Sequence, residues 1–256
     1  MRKFLKILTA LLLLSISADA LAQGRLYTRK AKLEDFPTRT TKVVTSSGSL
    51  LDLAFKEEVA TRWRISPFEF CTPEEFGALN SDNSLYFLYI GHEEGISYLV
   101  LYKGGEEDED ENLKKPFEVA RIPISSSSSP SGRELMLIGA AIDIMQAFVE
   151  DAMVSEQAAY FGLKWYNGRS LKGKTIYLDP DEADSAYTRG EQDALIGVCV
   201  APHSPEEGKR CFKMLIAADT NELYYFDQAR YRGPEDAAFG DSEIKKFGRR
   251  NGIVTE

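Results

Sequence analysis

Apolar residues recur every fourth position in SLLDLAFKEEVATRWR. Leu51, Phe55, Val59 and Trp63 form one stripe, while Lys56, Glu57, Glu58 and Arg62 take the other faces. That period predicts an amphipathic helix over 49–64 that stops before Pro67. Ser49, with Asp52 three positions on, resembles a capping box. A short strand at Phe68–Cys71 follows, and Thr72-Pro73-Glu74-Glu75 then spells a helix start. Thr satisfies an orphan N–H, Pro has none to leave unpaired, and acids suit the first turn. Three strands are expected next, at 84–90 (SLYFLYI), 96–102 (ISYLVLY) and 117–124 (FEVARIPI). Leu26-Tyr27 and Val43-Val44 read as an extended start before the first helix.

The run SSSSSPSG at 125–132 interrupts this pattern and reads as a linker. Behind it, Leu135, Ile138, Ile142, Met145, Val149 and Ala152 predict one long helix from Arg133 to Phe161. The order of the first half then recurs. A strand at 174–179 leads into Asp179-Pro180-Asp181-Glu182, which repeats the capping logic of Thr72-Pro73-Glu74-Glu75, and strands at 194–200, 211–217 and 222–228 complete the series. Each half spells helix, strand, helix, strand, strand, strand. The expected class is therefore α+β: two similar halves, 23–124 and 133–232, mainly antiparallel in their sheets, with helices on one face. Residues 233–256, Gly-rich and charged, read as a loose or partly helical tail.

The first residues change where such a chain is expected to work. Arg2, Lys3 and Lys6 precede an apolar run at 7–16 and an Ala20-Leu21-Ala22 step, the layout of a signal peptide (1–22) cleaved after Ala22. The apolar run is too short to span a bilayer, and no later segment approaches membrane-spanning hydrophobicity. A periplasmic or secreted protein is expected. The formal net charge of −9 argues against nucleic acid and anionic membrane as partners, since both demand basic patches.

Candidate chemistry is sparse. Cys71 precedes a helix N-terminus, where the dipole favours a thiolate, but Glu74 and Glu75 in the same turn oppose it. His92 and His203 are the chain's two histidines, so a cysteine enzyme would draw its base from these, with His92 the nearer candidate. Cys199 and Cys211 sit on strands flanking one loop, where equal offsets in a hairpin would allow a disulfide; three buried thiols is the other reading. No zinc spacing, Walker loop or nucleophile elbow occurs, and the acidic run at 106–111 lacks the Gly and terminal Glu of an EF-hand. No metal or cofactor is therefore expected. Tyr86, Tyr89, Tyr98, Tyr102, Tyr224 and Phe226 lie on strands, where alternate rings point to opposite faces, so part of this set is expected on a binding face.

At TRWRISPFEFCTPEEFGAL, SSPSGREL and CFKMLIAADTNELYYF the chain resembles uncharacterised signal-peptide-bearing proteins of Bacteroidales-type bacteria, over most of its length after residue 22. The resemblance implies a place in or outside the envelope of a Gram-negative cell and transfers no catalytic motif. The expectation is an exported binding module whose sheet face or inter-half groove engages an envelope protein or a small apolar ligand. The alternative is an envelope hydrolase using carboxylates or Cys71 with His92.

Overall fold

The computed structural model describes residues 29–46, 48–106 and 114–255. The expected signal peptide, Leu26-Tyr27 and most of the acidic run lie outside the described residues. In chain order the first half comprises α1 (Arg29–Lys32), β1 (Thr41–Val44), α2 (Leu50–Arg62), β2 (Phe68–Cys71), α3 (Pro73–Leu79), β3 (Tyr86–Glu93), β4 (Ile96–Lys103) and β5 (Phe117–Ser126). The second comprises α4 (Arg133–Val154), α5 (Glu156–Phe161), β6 (Thr175–Tyr177), α6 (Pro180–Thr188), β7 (Ala194–Val200), β8 (Arg210–Ala217), β9 (Leu223–Arg230), α7 (Asp241–Arg249) and β10 (Ile253–Thr255).

The helix starts form by the chemistry read from the sequence. Ser49 Oγ accepts from the Asp52 N–H at 3.0 Å, but the expected capping box is not closed, because the Asp52 carboxylate accepts from the Ser49 and Ser46 hydroxyls instead of the Ser49 N–H. Thr72 and Glu75 make both bonds of a capping box, at 3.2 and 2.8 Å. Asp179 Oδ1 accepts from the N–H groups of Asp181 and Glu182. The predicted long helix, however, breaks after Val154, because Ser155 takes an extended backbone and its Oγ caps α5 through the Ala158 N–H.

The fold is α+β, with two similar halves each built on a mixed, mostly antiparallel five-stranded sheet, in the orders β2-β1-β3-β4-β5 and β10-β6-β7-β8-β9. Helical crossovers make β2, β1 and β3 parallel, and hairpins make β3, β4 and β5 antiparallel. The same scheme holds for β10, β6 and β7, then β7, β8 and β9. The repeat in space is shifted from the repeat in sequence. β6 follows the long helix as β2 follows α2, yet β6 occupies the place of β1, and the edge place of β2 is filled by β10. Residues 233–255 are thus no loose tail: α7 covers the second sheet and β10 completes it. Nor is all of 125–132 linker, because Ser125 and Ser126 still pair with Ser97 and Ile96.

One core joins the halves. Phe55 and Val59 of α2, Leu88 and Leu101 of the first sheet, Ile138, Ile142 and Met145 of α4, and Ile196, Met214 and Ile216 of the second sheet belong to a single buried cluster. α4 is buried on nearly every side, unlike the one-sided α2. The shorter helices α3 and α7 cover the outer faces. Phe76 packs on Phe87 and Tyr89, whereas Phe36 packs on Tyr86 from the other side, and Phe247 lies against Tyr225.

The halves also meet at the β3–β4 turn. A Cβ on Gly95 would stand 2.7 Å from Pro202 Cβ, and one on Gly208 would run into the Glu94 carbonyl. Arg210 pairs with Glu94 at 3.2 Å in the same place. Gly208→Ala is expected to lower stability by about 1–3 kcal/mol, since backbone must move to admit one methyl. An unchanged urea midpoint would mean that this contact yields freely.

Candidate functional site

The aromatic residues expected at a binding face are placed unequally. Tyr86 is buried, with its OH donating to the Asp35 carboxylate at 2.7 Å, and Lys103 Nζ reaches the same oxygen at 2.8 Å. Tyr98 is buried against the ring of Phe212 at 5.7 Å, and burial pushes its phenol up to about 12. Phe226 is buried too, and Asn167 binds both its backbone groups, at 2.7 and 3.0 Å, which blocks the β9 edge. These three are core residues. Tyr89, Tyr102 and Tyr224 are half-buried. Tyr89 packs under Phe76, Tyr102 beside Phe87, and Tyr224 under the guanidinium of Arg169.

The cysteine chemistry does not assemble. Register places Cys71 opposite Val44 on β1, which pairs in turn with β3 near Tyr89. His92 lies three residues farther along and two strands over, on the order of 14 Å away by strand geometry. Its Nδ1 instead engages Ser97 Oγ at 2.9 Å. The hairpin offset is also unequal: Lys213, not Cys211, stands opposite Cys199, and all three cysteines are free thiols. Diagonal neighbours are about 7–8 Å apart at Cα, beyond the usual reach of a disulfide. Burial pushes each thiol up, Cys199 to about 12, and Glu75 adds to the effect at Cys71 while Lys42 opposes it. Iodoacetamide at pH 8 is therefore expected to modify the folded chain far more slowly than the urea-unfolded chain. Fast labelling of Cys71 in the folded state would contradict this. Among the described residues no group of three or more His, Cys, Asp or Glu is arranged to hold a metal, and no helix is long and apolar enough to cross a membrane.

A cleft of about 590 Å³ opens where the halves meet, within the range of ligand sites. Thr61–Arg64, at the end of α2, form one wall. Asp143, Ile144 and Ala147 of α4 form the floor. Tyr166 and Arg169, from the 3₁₀ turn after α5, and Thr220–Leu223 of the β8–β9 turn complete it.

Its polar groups hold one another in place. Asp143 Oδ2 accepts from Arg62 Nη1 and from Asn221 Nδ2, both at 2.8 Å, and Gln146 Nε2 reaches Oδ1 at 3.5 Å. Arg62 also pairs with Glu58, and Gly139 leaves room for that pair against α4, since a Cβ there would stand 2.7 Å from Glu58 Oε2. Asn221 adopts a left-handed backbone (φ 60°), which its short amide tolerates, and accepts from Tyr187 OH at 2.9 Å. Gln146 Oε1 accepts from the Arg64 N–H at 2.8 Å. The network thereby ties α2, α4, α6 and the β8–β9 turn together.

Arg169 lies over two rings, 4.7 Å from the centroid of Tyr166 and 5.4 Å from that of Tyr224. Tyr166 is fixed by its OH donating to Asp151 at 2.9 Å. Arg169 Nη1 is 3.2 Å from Glu222 Oε1, within ion-pair range, but it is not aligned for a hydrogen bond and is shut off from solvent. Arg64 is exposed, and its guanidinium makes no ion pair or hydrogen bond among the described residues.

Of the six aromatic candidates, Tyr224 meets this cleft, through Arg169. The residues that line it were missed because their chemistry is ordinary one at a time. One signal was legible: Asp143 and Gln146 interrupt an otherwise apolar helix, LMLIGAAIDIMQAFV, and buried polar groups demand partners. A second patch, Val154, Tyr160 and Phe161, stands exposed at the far end of α4 and on α5, outside the cleft. No family model, no curated protein and no solved structure matches this chain.

Proposed function

We propose that this protein is an exported binding module of the bacterial cell envelope, without chemistry of its own, that receives part of a partner protein in the cleft between its halves. The observation that carries the reading is the state of the cleft's polar walls. Arg62, Asp143, Asn221 and Tyr187 are already bonded to one another, which makes a preorganised surface, while Thr61, Ala147 and Arg64, whose guanidinium is unpaired among the described residues, remain for a guest. Export rests on the basic start, apolar run and Ala-Leu-Ala step at the N-terminus. The hydrolase reading is weaker, because Asp143, a carboxylate on the cleft floor, is taken up by three donors.

The test uses the chain from Gln23 as bait on a native envelope fraction, beside a variant with the cleft filled, Ala147→Trp. A specific partner retained by the parent chain and lost by a folded A147W variant is expected. A partner captured equally by both, or turnover of an envelope substrate by the chain alone, would refute the proposal.

A further inference from the structure

We infer that the cleft recognises a carboxylate group of its guest, clamped between Arg64 from the first half and Arg169 from the second; this rests on the cleft being the binding site. Three observations converge. The chain as a whole carries a formal charge of −9, yet the cleft walls reverse that sign, with Arg62, Arg64 and Arg169 against Asp143 and Glu222. Arg62 is committed to Glu58 and Asp143, so the local surplus resides on Arg64 and on the incompletely paired Arg169.

Arg169 is built as a recognition element. The rings of Tyr166 and Tyr224 restrict the position of its guanidinium, and Arg250 donates to its backbone carbonyl, which anchors the main chain. Its Nη1 is buried and meets only the unaligned Glu222 carboxylate, 3.2 Å away. A buried donor in that state gains from any acceptor that enters, and the guanidinium fork matches a carboxylate in a bidentate pair. Ala147, half-buried in the cleft floor, supplies apolar surface for the carbon chain behind such a group. Glu222 is the competitor the guest displaces, at little cost because it is half exposed. A peptide offers the required group in two ways, as its C-terminal carboxylate or as an acidic side chain.

Titration calorimetry with the full chain from Gln23 separates these sources. The probes are acetyl-Ala-Ala-Val with a free carboxylate, the same peptide as its amide, and acetyl-Ala-Glu-Ala amide. At least one carboxylate peptide is expected to bind at least tenfold more tightly than the neutral amide, more weakly at high salt. The acid that binds identifies the source. Arg64→Gln and Arg169→Gln are each expected to weaken it tenfold or more. Arg169→Lys, which keeps the charge and removes the fork, should recover only part, and a melting curve for each variant separates lost binding from lost fold. Equal affinity for acid and amide, no heat with any probe at millimolar concentration, or full affinity in folded Arg64→Gln and Arg169→Gln would overturn the inference. The two readings fail separately. An envelope partner lost with A147W but kept with both arginine variants leaves the cleft as the site and removes the carboxylate. A partner kept with A147W removes the site itself.

Discussion

Replacing Phe247 by alanine is expected to lower the unfolding free energy by about 3–5 kcal/mol, the cost of emptying a fully buried aromatic site. Phe247 is completely buried in α7, edge-on to Tyr225 at 5.1 Å and 5.9 Å from Phe239. Around it are Leu171, from the turn before β6, and Ile176, Leu195, Leu215 and Ala217 on the outer face of the second sheet. Its carbonyl also accepts from the Gly252 N–H at 3.1 Å, which turns the chain into β10. Removing residues 233–256 should be worse than F247A, since it bares that face and frees the edge of β6 for intermolecular pairing. Ile253→Ser is the control: Ile253 is exposed, so little change is expected. Urea unfolding measures all three. A loss under about 1 kcal/mol for F247A would show that this segment is an appendage after all.

Glu243→Ala is the second large effect, again about 3–5 kcal/mol, because it strands a charge. Lys213 Nζ lies 2.7 Å from Glu243 Oε1, with the two side chains 8% and 16% exposed. Without Glu243 the ammonium keeps its desolvation and loses its partner. The double change Lys213→Met with Glu243→Leu removes both charges and should be far milder, offset only by loss of the bond from the Gly240 N–H to Glu243. The first half buries its own lysine, Lys103, against Asp35 at 2.8 Å.

These pairs also set the acid limit. Burial alone would push the Glu243 and Asp35 carboxyls up, but hydrogen bonds from Lys213 and Ser242, and from Lys103 and Tyr86, overcome it and hold both below the ordinary range. A depressed carboxylate contributes stability above its unfolded value of about 4, and that contribution is lost as pH falls through the folded value. Stability should therefore be level in this respect from pH 7 to about pH 5 and fall below about pH 4. The acid limb should be shallower in E243A. Equal limbs in the parent and E243A would refute the assignment for Glu243.

Much of the local structure was legible. The strand Phe68–Cys71, the helix opened by Thr72-Pro73 and the strand Ala194–Val200 stand where period and capping put them. The break at Ser155 was less so, because the apolar period continues through Ala158 and Ala159 while one hydroxyl redirects the backbone. The disulfide expectation failed because a hairpin register is set by its loop and by which face is buried. The Cys71–His92 pairing failed because β1, earlier in the chain, inserts between their strands.

The sequence by itself determined what depends on near neighbours: where helices start, which residues alternate, that two similar α+β halves follow one another, and that metal and phosphate motifs are missing. Tertiary structure decided what depends on distant pairing. It put β10 in the place that β2 holds in the first sheet, buried Tyr86, Tyr98 and Phe226 where exposed rings were sought, and brought Arg64, Asp143, Arg169 and Asn221 to one cleft. The physical reason is range. Caps and periodicity act over a few residues, whereas the cleft exists because two sheets bury their inner faces on the same helix, α4, and the polar groups left at that seam satisfy one another.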